Sequence, residues 1–147
     1  MHIGADSFAD SLICDEKIEE ICKLDFINYK EPCYRAIKHT NDMVLSKNDF
    51  LPSIMERNNN VMPDAENQMR RKGYKDFSVS VNRSLEELKE IVRTVPTLRD
   101  SVFSYAVGFY SKKKGVVTRP DDKGHIHYFL FDPEEKNPVS DFQYVVD

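Results

Sequence analysis

Residues 115–132, GVVTRPDDKGHIHYFLFD, carry two apolar runs rich in β-branched and aromatic side chains, separated by a charged loop containing Pro120 and Gly124. Runs of this kind on either side of a turn predict two strands, Val116 to Thr118 and His125 to Phe131. Alternate residues of a strand share a face, so His125 and His127 point the same way, their Cα atoms about 7 Å apart. Phe129 and Phe131 continue that face. The stretch therefore predicts sheet, and it places two imidazoles at one end of an apolar row.

Working outward, residues 142–146 (FQYVV) read as a closing strand, after a loop bounded by Pro133 and Pro138. On the other side, Phe103, Tyr105, Val107 and Phe109 alternate with smaller residues, predicting a strand over 102–110. Phe77, Val79 and Val81 alternate in the same way. Ser84 and Glu87 then form a capping-box pair, and Leu85, Leu88, Val92 and Val95 follow at spacings of three, four and three. That is one helix face, stopped by Pro96.

The N-terminal third is less regular. Phe8, Leu12, Ile18, Ile21 and Cys22 recur at roughly helical spacing among acidic residues, predicting an amphipathic acidic helix within residues 6–24. Cys14 and Cys22, eight apart, would lie on one face of it as small buried hydrophobes. Pro32 ends that segment, and Cys33 to Ile37 reads as a short strand. Residues 38–73 predict an irregular, loop-rich stretch, with one short helix between Pro63 and Gly73. The succession argues for a single α+β domain over 1–147 with a mainly antiparallel sheet. An N-terminal helical segment (1–31) and one strand–helix unit would pack on it.

At 147 residues, the chain can bury about two-thirds of its unfolded surface. The formal net charge of −4 argues against a general nucleic-acid binder. Residues 1–31 alone hold eight acidic side chains against three lysines. Arg70, Arg71 and Lys72, and Lys112 to Lys114, form small basic clusters that read as solvated loops. An odd three cysteines without CxxC spacing predict reduced thiols in a cytoplasmic setting. No apolar run has membrane-spanning length and no signal-peptide core opens the chain, so no membrane is expected.

Two constellations carry chemistry. His125 and His127 suit a pair of metal ligands or an acid/base pair, but a metal needs a third donor that the sequence does not supply. No resident cofactor is expected, since no Walker A loop, GxGxxG, HExxH or GxSxG is present. The second set is Arg35, the Ser78-Val79-Ser80 strand and a late glutamate, an order that resembles ADP-ribosyltransferases. The resemblance implies that Arg35 holds dinucleotide phosphates, Ser78 orders a nicotinamide pocket, and Glu134 or Glu135 is catalytic.

A broader pattern runs from Tyr34-Arg35-Ala36-Ile37 through Pro52-Ser53 and Ser78-Val79 to the histidine strand and Asn137-Pro138. It resembles small bacterial proteins with an R…PS…SV…HAH arrangement and no assigned activity. That resemblance implies a bacterial chain in which Arg35, Ser53, Ser78, His125 and His127 converge on one polar cleft. Two functions follow as expectations. The first is a small cytoplasmic interaction or accessory protein with a protein partner, an operon companion in a defence or toxin-type system. The alternative is an enzyme whose Arg/Ser/His cleft acts on a nucleotide or NAD-like substrate.

Overall fold

A computed structural model describes residues 3–146; Met1, His2 and Asp147, included in the expected domain, lie outside the described residues. Seven strands form one sheet: β1 (Phe26–Ile27), β2 (Cys33–Ile37), β3 (Val79–Asn82), β4 (Ser104–Gly108), β5 (Gly115–Thr118), β6 (His125–Leu130) and β7 (Phe142–Tyr144). Their spatial order is β1-β5-β6-β3-β2-β4-β7, and every pairing is antiparallel. Among the described residues the α-helices are α1 (Asp15–Cys22), α2 (Ser53–Glu56), α3 (Ala65–Met69), α4 (Leu85–Thr94) and α5 (Pro96–Arg99). The fold is α+β with a mainly antiparallel sheet, an N-terminal helix and a strand–helix unit, as the residue pattern predicts. Among the described residues, no helix is long and apolar enough to cross a membrane.

Register explains the two cores. Val79 and Val81 of β3 face Tyr128 and Ile126 of β6, so these four side chains share a face and are all buried. Cys33, Ile37, Phe50, Leu130 and Phe142 join them. On the opposite face, Phe129 and Phe131 pack with Phe8, Phe26 and the α1 residues Ile18 and Ile21. The Phe8 and Phe131 rings meet edge to face at 5.3 Å. The histidines thus sit on the α1 side of the sheet, beyond the end of this aromatic core.

Several local expectations are corrected. The N-terminal helix does not run through residues 6–24: a 3-10 turn covers Ala5–Phe8 and the α-helix begins only at Asp15. The buried Gln68 side chain breaks it, accepting from Cys14 N at 2.7 Å and donating to Leu12 O at 2.9 Å. That pairing holds residues 12–14 extended and leaves Leu12 exposed instead of on a buried stripe. Cys14 caps α1 and does not share a buried helix face with Cys22; both are half-buried and unbridged.

Phe77 ends a 3-10 turn (Lys75–Phe77) and belongs to the α1-side core, so it does not share the face of Val79 and Val81. The Ser84 cap forms, its Oγ accepting from Glu87 N. The Glu87 carboxylate does not return to the Ser84 backbone, because Arg83 holds it at 2.7 Å and Asn82 Oδ1 takes Ser84 N instead. Pro96 ends α4 and also opens α5 at its first turn.

Candidate functional site

The sheet is incompletely zipped at its centre. β2 and β3 are neighbours, yet their only registered pair is Tyr34 with Asn82. Beyond it the strands part, and Arg35 reaches into the parting. Its Nη1 donates to Ser80 O at 2.9 Å and its Nε to Asp49 O at 3.0 Å. Arg35 is 8% exposed. Burial lowers its pKa, and the neighbouring Glu56 and Asp49 carboxylates oppose that shift only in part. Glu56 Oε1 lies 3.6 Å from Arg35 Nη2, and Glu56 Oε2 lies 3.8 Å from Lys38 Nζ.

Beside this parting lies a cavity of about 290 Å³. Arg35, Lys38, Ser53, Ser80 and His125 supply its polar groups, with Glu56 and Arg57 from the α2 end. Leu88 and Ile91 of α4, Leu98 of α5 and Val102 form an apolar wall. Of the helix stripe read from the sequence, Leu88 lines the cavity, joined by Ile91 from outside that stripe; both are half-buried, whereas Val92 is buried and Val95 exposed. With His125 neutral, the charged lining comprises three cations and one carboxylate.

The two imidazoles are in contact, their centroids 4.4 Å apart and their planes tilted by 52°. They are not equivalent. His127 Nδ1 lies 2.9 Å from Ser78 Oγ, and that hydroxyl donates to Lys75 O at 2.8 Å. A hydroxyl has a single proton, so His127 Nδ1–H is the donor to Ser78 and His127 is the neutral Nδ1–H tautomer. Burial pushes His127 down to about 4, assisted by His125 and Lys75. His125 is lowered too, first by burial, then by Lys75 and Arg35 against the opposing pull of Asp121. His125 Nε2 is buried with no partner. An orphan lone pair is cheaper than an orphan N–H, which favours Nδ1–H on His125.

Arg35, Ser53 and His125 come together as the sequence pattern implies. Ser78 and His127 do not line the cavity; buried Ser78 bonds half-buried His127 next to His125 and fixes the orientation of its ring. The exposed serine of the Ser78-Val79-Ser80 alternation is Ser80 alone, since Ser78 is 1% exposed. Glu134 and Glu135 are exposed in the turn after β6, their N–H groups held by Asp132 Oδ1, and neither joins the cavity. The carboxylate beside Arg35 is Glu56. Among the described residues, no group of three His, Cys, Asp or Glu side chains is placed to hold a metal ion. His39 pairs with Asp49 at 2.9 Å, and Asp121 accepts from the His125 and Lys123 backbones.

Sequence reasoning did not single out Lys38, Glu56 or Arg57. All three come from the irregular 38–73 stretch, where no periodicity says which side chains turn inward. Comparison with known proteins adds no relative: no family model, curated protein or solved structure matches the chain.

Proposed function

We propose that the protein binds a compact anionic small molecule with an apolar portion in the parting between β2 and β3. The observation that carries this reading is the placement of buried Arg35 and neutral His125 on one cavity whose remaining wall is aliphatic. The Arg35 guanidinium, Lys38 ammonium and His125 Nδ1–H are all donors, so the ligand supplies acceptors, best an oxyanion. Leu88 and Ile91 take its apolar part. At about 290 Å³ the space is near the lower end of the ~300–1,000 Å³ typical of small-molecule sites, which suits a single ring or short chain.

The test is a ¹H–¹⁵N NMR titration with benzoate as the probe. Shifts at Ser80, Asn82, Ile91 and the His125 ring that are lost in Ile91→Trp, which fills the cavity, support the reading. A titration that moves none of these signals removes it.

An enzyme acting on a nucleotide or NAD-like substrate is a narrower form of the same reading. A neutral His125 beside a bound anion suits proton transfer. Against nucleophilic catalysis, Ser53 Oγ donates to Asp76 O at 3.3 Å instead of pairing with an imidazole.

One observation favours the interaction-protein reading. Tyr105 and Val107 of β4 are half-buried, while Phe103 and Phe109 at the strand's ends are 63% and 57% exposed. An exposed aromatic row of this kind fits a protein partner. The bacterial part of that reading rests on the sequence resemblance, the cytoplasmic part also on the odd cysteine count, and the defence-system part on the lack of a complete catalytic motif in the sequence. A Phe103→Ser/Phe109→Ser chain that retains every native association in pull-downs would count against it.

A further inference from the structure

A second cavity, of about 390 Å³, opens on the far side of Arg57. Arg57 lines both spaces, so the two hollows adjoin at its side chain. The second is lined by Arg57, Arg70 and Arg71 with Asn58, Pro63 and Asn67, and no carboxylate faces it. Asp76 lies beside it and serves two guanidiniums, Arg57 at 3.3 Å and Arg71 at 3.9 Å. One carboxylate cannot neutralise both. Arg70 pairs with Glu66 at 3.1 Å, but both side chains are more than 70% exposed, so that pair is weak and readily exchanged.

Two buried polar side chains brace the backbone of residues that line this cavity, Pro63 and Arg71. Gln68, 1% exposed, donates to Pro63 O at 2.7 Å and to Leu12 O at 2.9 Å. Lys17, 4% exposed, donates from Nζ to Arg71 O at 2.7 Å. Lys17 also pairs with Glu20 at 3.4 Å, and Gln68 also accepts from Cys14 N, so both buried groups are satisfied and tie the segment around α3 to the N-terminal residues.

We propose that the ligand of the interstrand cavity is a phosphomonoester, its apolar body against the α4 wall, its ester oxygen as the acceptor facing Arg35, Lys38 and His125, and its phosphate among Arg57, Arg70 and Arg71. The proposal rests on the small-molecule reading of the first cavity and names the ligand's charged group. Guanidinium forks match the tetrahedral oxygens of a phosphate dianion bidentately. A phosphate also displaces Asp76 and Glu66 with little loss, because each holds its arginines singly or at long range.

The experiment compares phenyl phosphate, inorganic phosphate and benzoate in NMR titrations that include the arginine Nε–H signals. Phenyl phosphate is expected to bind about tenfold tighter than benzoate and to shift both Ser80 and Arg71. In Arg70→Gln/Arg71→Gln its affinity should fall to that of benzoate, with benzoate binding unchanged. Asp76→Asn, which releases two guanidiniums, should tighten inorganic phosphate binding. Equal phenyl phosphate affinity in the double variant, together with no gain in Asp76→Asn, overturns the phosphate subsite. If benzoate still moves Ser80 and His125, the cavity reading survives that failure; if no probe moves either region, both readings fall.

Discussion

Arg35 Nη1 donates to Ser80 O at 2.9 Å across the parting of β2 and β3. A side chain stands where a neighbouring strand's N–H would otherwise satisfy that carbonyl. The arrangement couples fold and site: the residue that closes the sheet's broken ladder is also the buried cation of the cavity. It explains how an arginine can sit at a position that strand alternation assigns to the apolar face with Cys33 and Ile37.

Arg35→Ala is therefore expected to cost about 3 kcal/mol, because it strands the Ser80 and Asp49 carbonyls and leaves Glu56 facing the vacated space. For a chain of this size that corresponds to a melting temperature lower by roughly 10 °C. Adding Glu56→Gln should recover part of the loss. Urea denaturation of the two variants measures both effects, and a single-variant loss below about 0.5 kcal/mol would show that the parting is held by other contacts.

The imidazole pair predicts an acid-side loss of stability. Folded His127 stays neutral down to about pH 4, whereas an unfolded histidine titrates near its ordinary value of 6.5. Between these limits the unfolded chain binds the extra proton, so stability falls as pH drops from about 6.5 towards 4. Its partial exposure reduces the effect to about 2 kcal/mol. His125, lowered in the same direction, adds to it. Denaturant melts at pH 7 and pH 5 should show a smaller difference in His127→Gln than in the parent chain; equal differences would contradict the buried-neutral assignment.

The strands were legible where alternation is strict. Val79/Val81, Ile126/Tyr128/Leu130 and the Ser84 cap all announce themselves, and the structure differs there by only a residue or two at the ends. What the pattern hides is long-range polar pairing. Nothing local to Leu12 or Cys14 says that Gln68, 54 positions on from Cys14, will interrupt their helix. The site was half legible for the same reason. Arg35, Ser53 and His125 stand out because they interrupt apolar or turn segments, whereas Glu56 and Arg57 read as ordinary surface charges until α2 is folded against β2.

Gly115 offers a test of the β5–β6 register. It pairs with Leu130, and a Cβ placed on it would lie 2.2 Å from Phe129 O and 3.0 Å from the Tyr128 ring. The obstruction is backbone in the middle of a sheet, which a rotamer change cannot relieve. Gly115→Ala should destabilise by about 2 kcal/mol or more, read as a lower urea midpoint at unchanged slope. A variant as stable as the parent would mean that the register printed by these contacts is not the one in solution.

The last prediction concerns Gln68, which ties together residues 12–14, Pro63 and α3. Its carboxamide makes three hydrogen bonds to backbone, from Cys14 N and to Leu12 O and Pro63 O. Gln68→Leu keeps the volume but orphans one N–H and two carbonyls in a buried place, which should cost about 3 kcal/mol in local stability. The loss should be regional, because the sheet's ladder does not depend on this side chain. Hydrogen exchange is the discriminating measurement: amides of residues 11–24 and 61–72 should exchange faster, while β3 and β6 amides keep their protection. Uniform acceleration across the sheet would show that the α1–α3 layer and the sheet unfold as one cooperative unit. In that case the arginine loop could not move without the strands, and Lys17 and Gln68 would be part of the global core instead of a local brace.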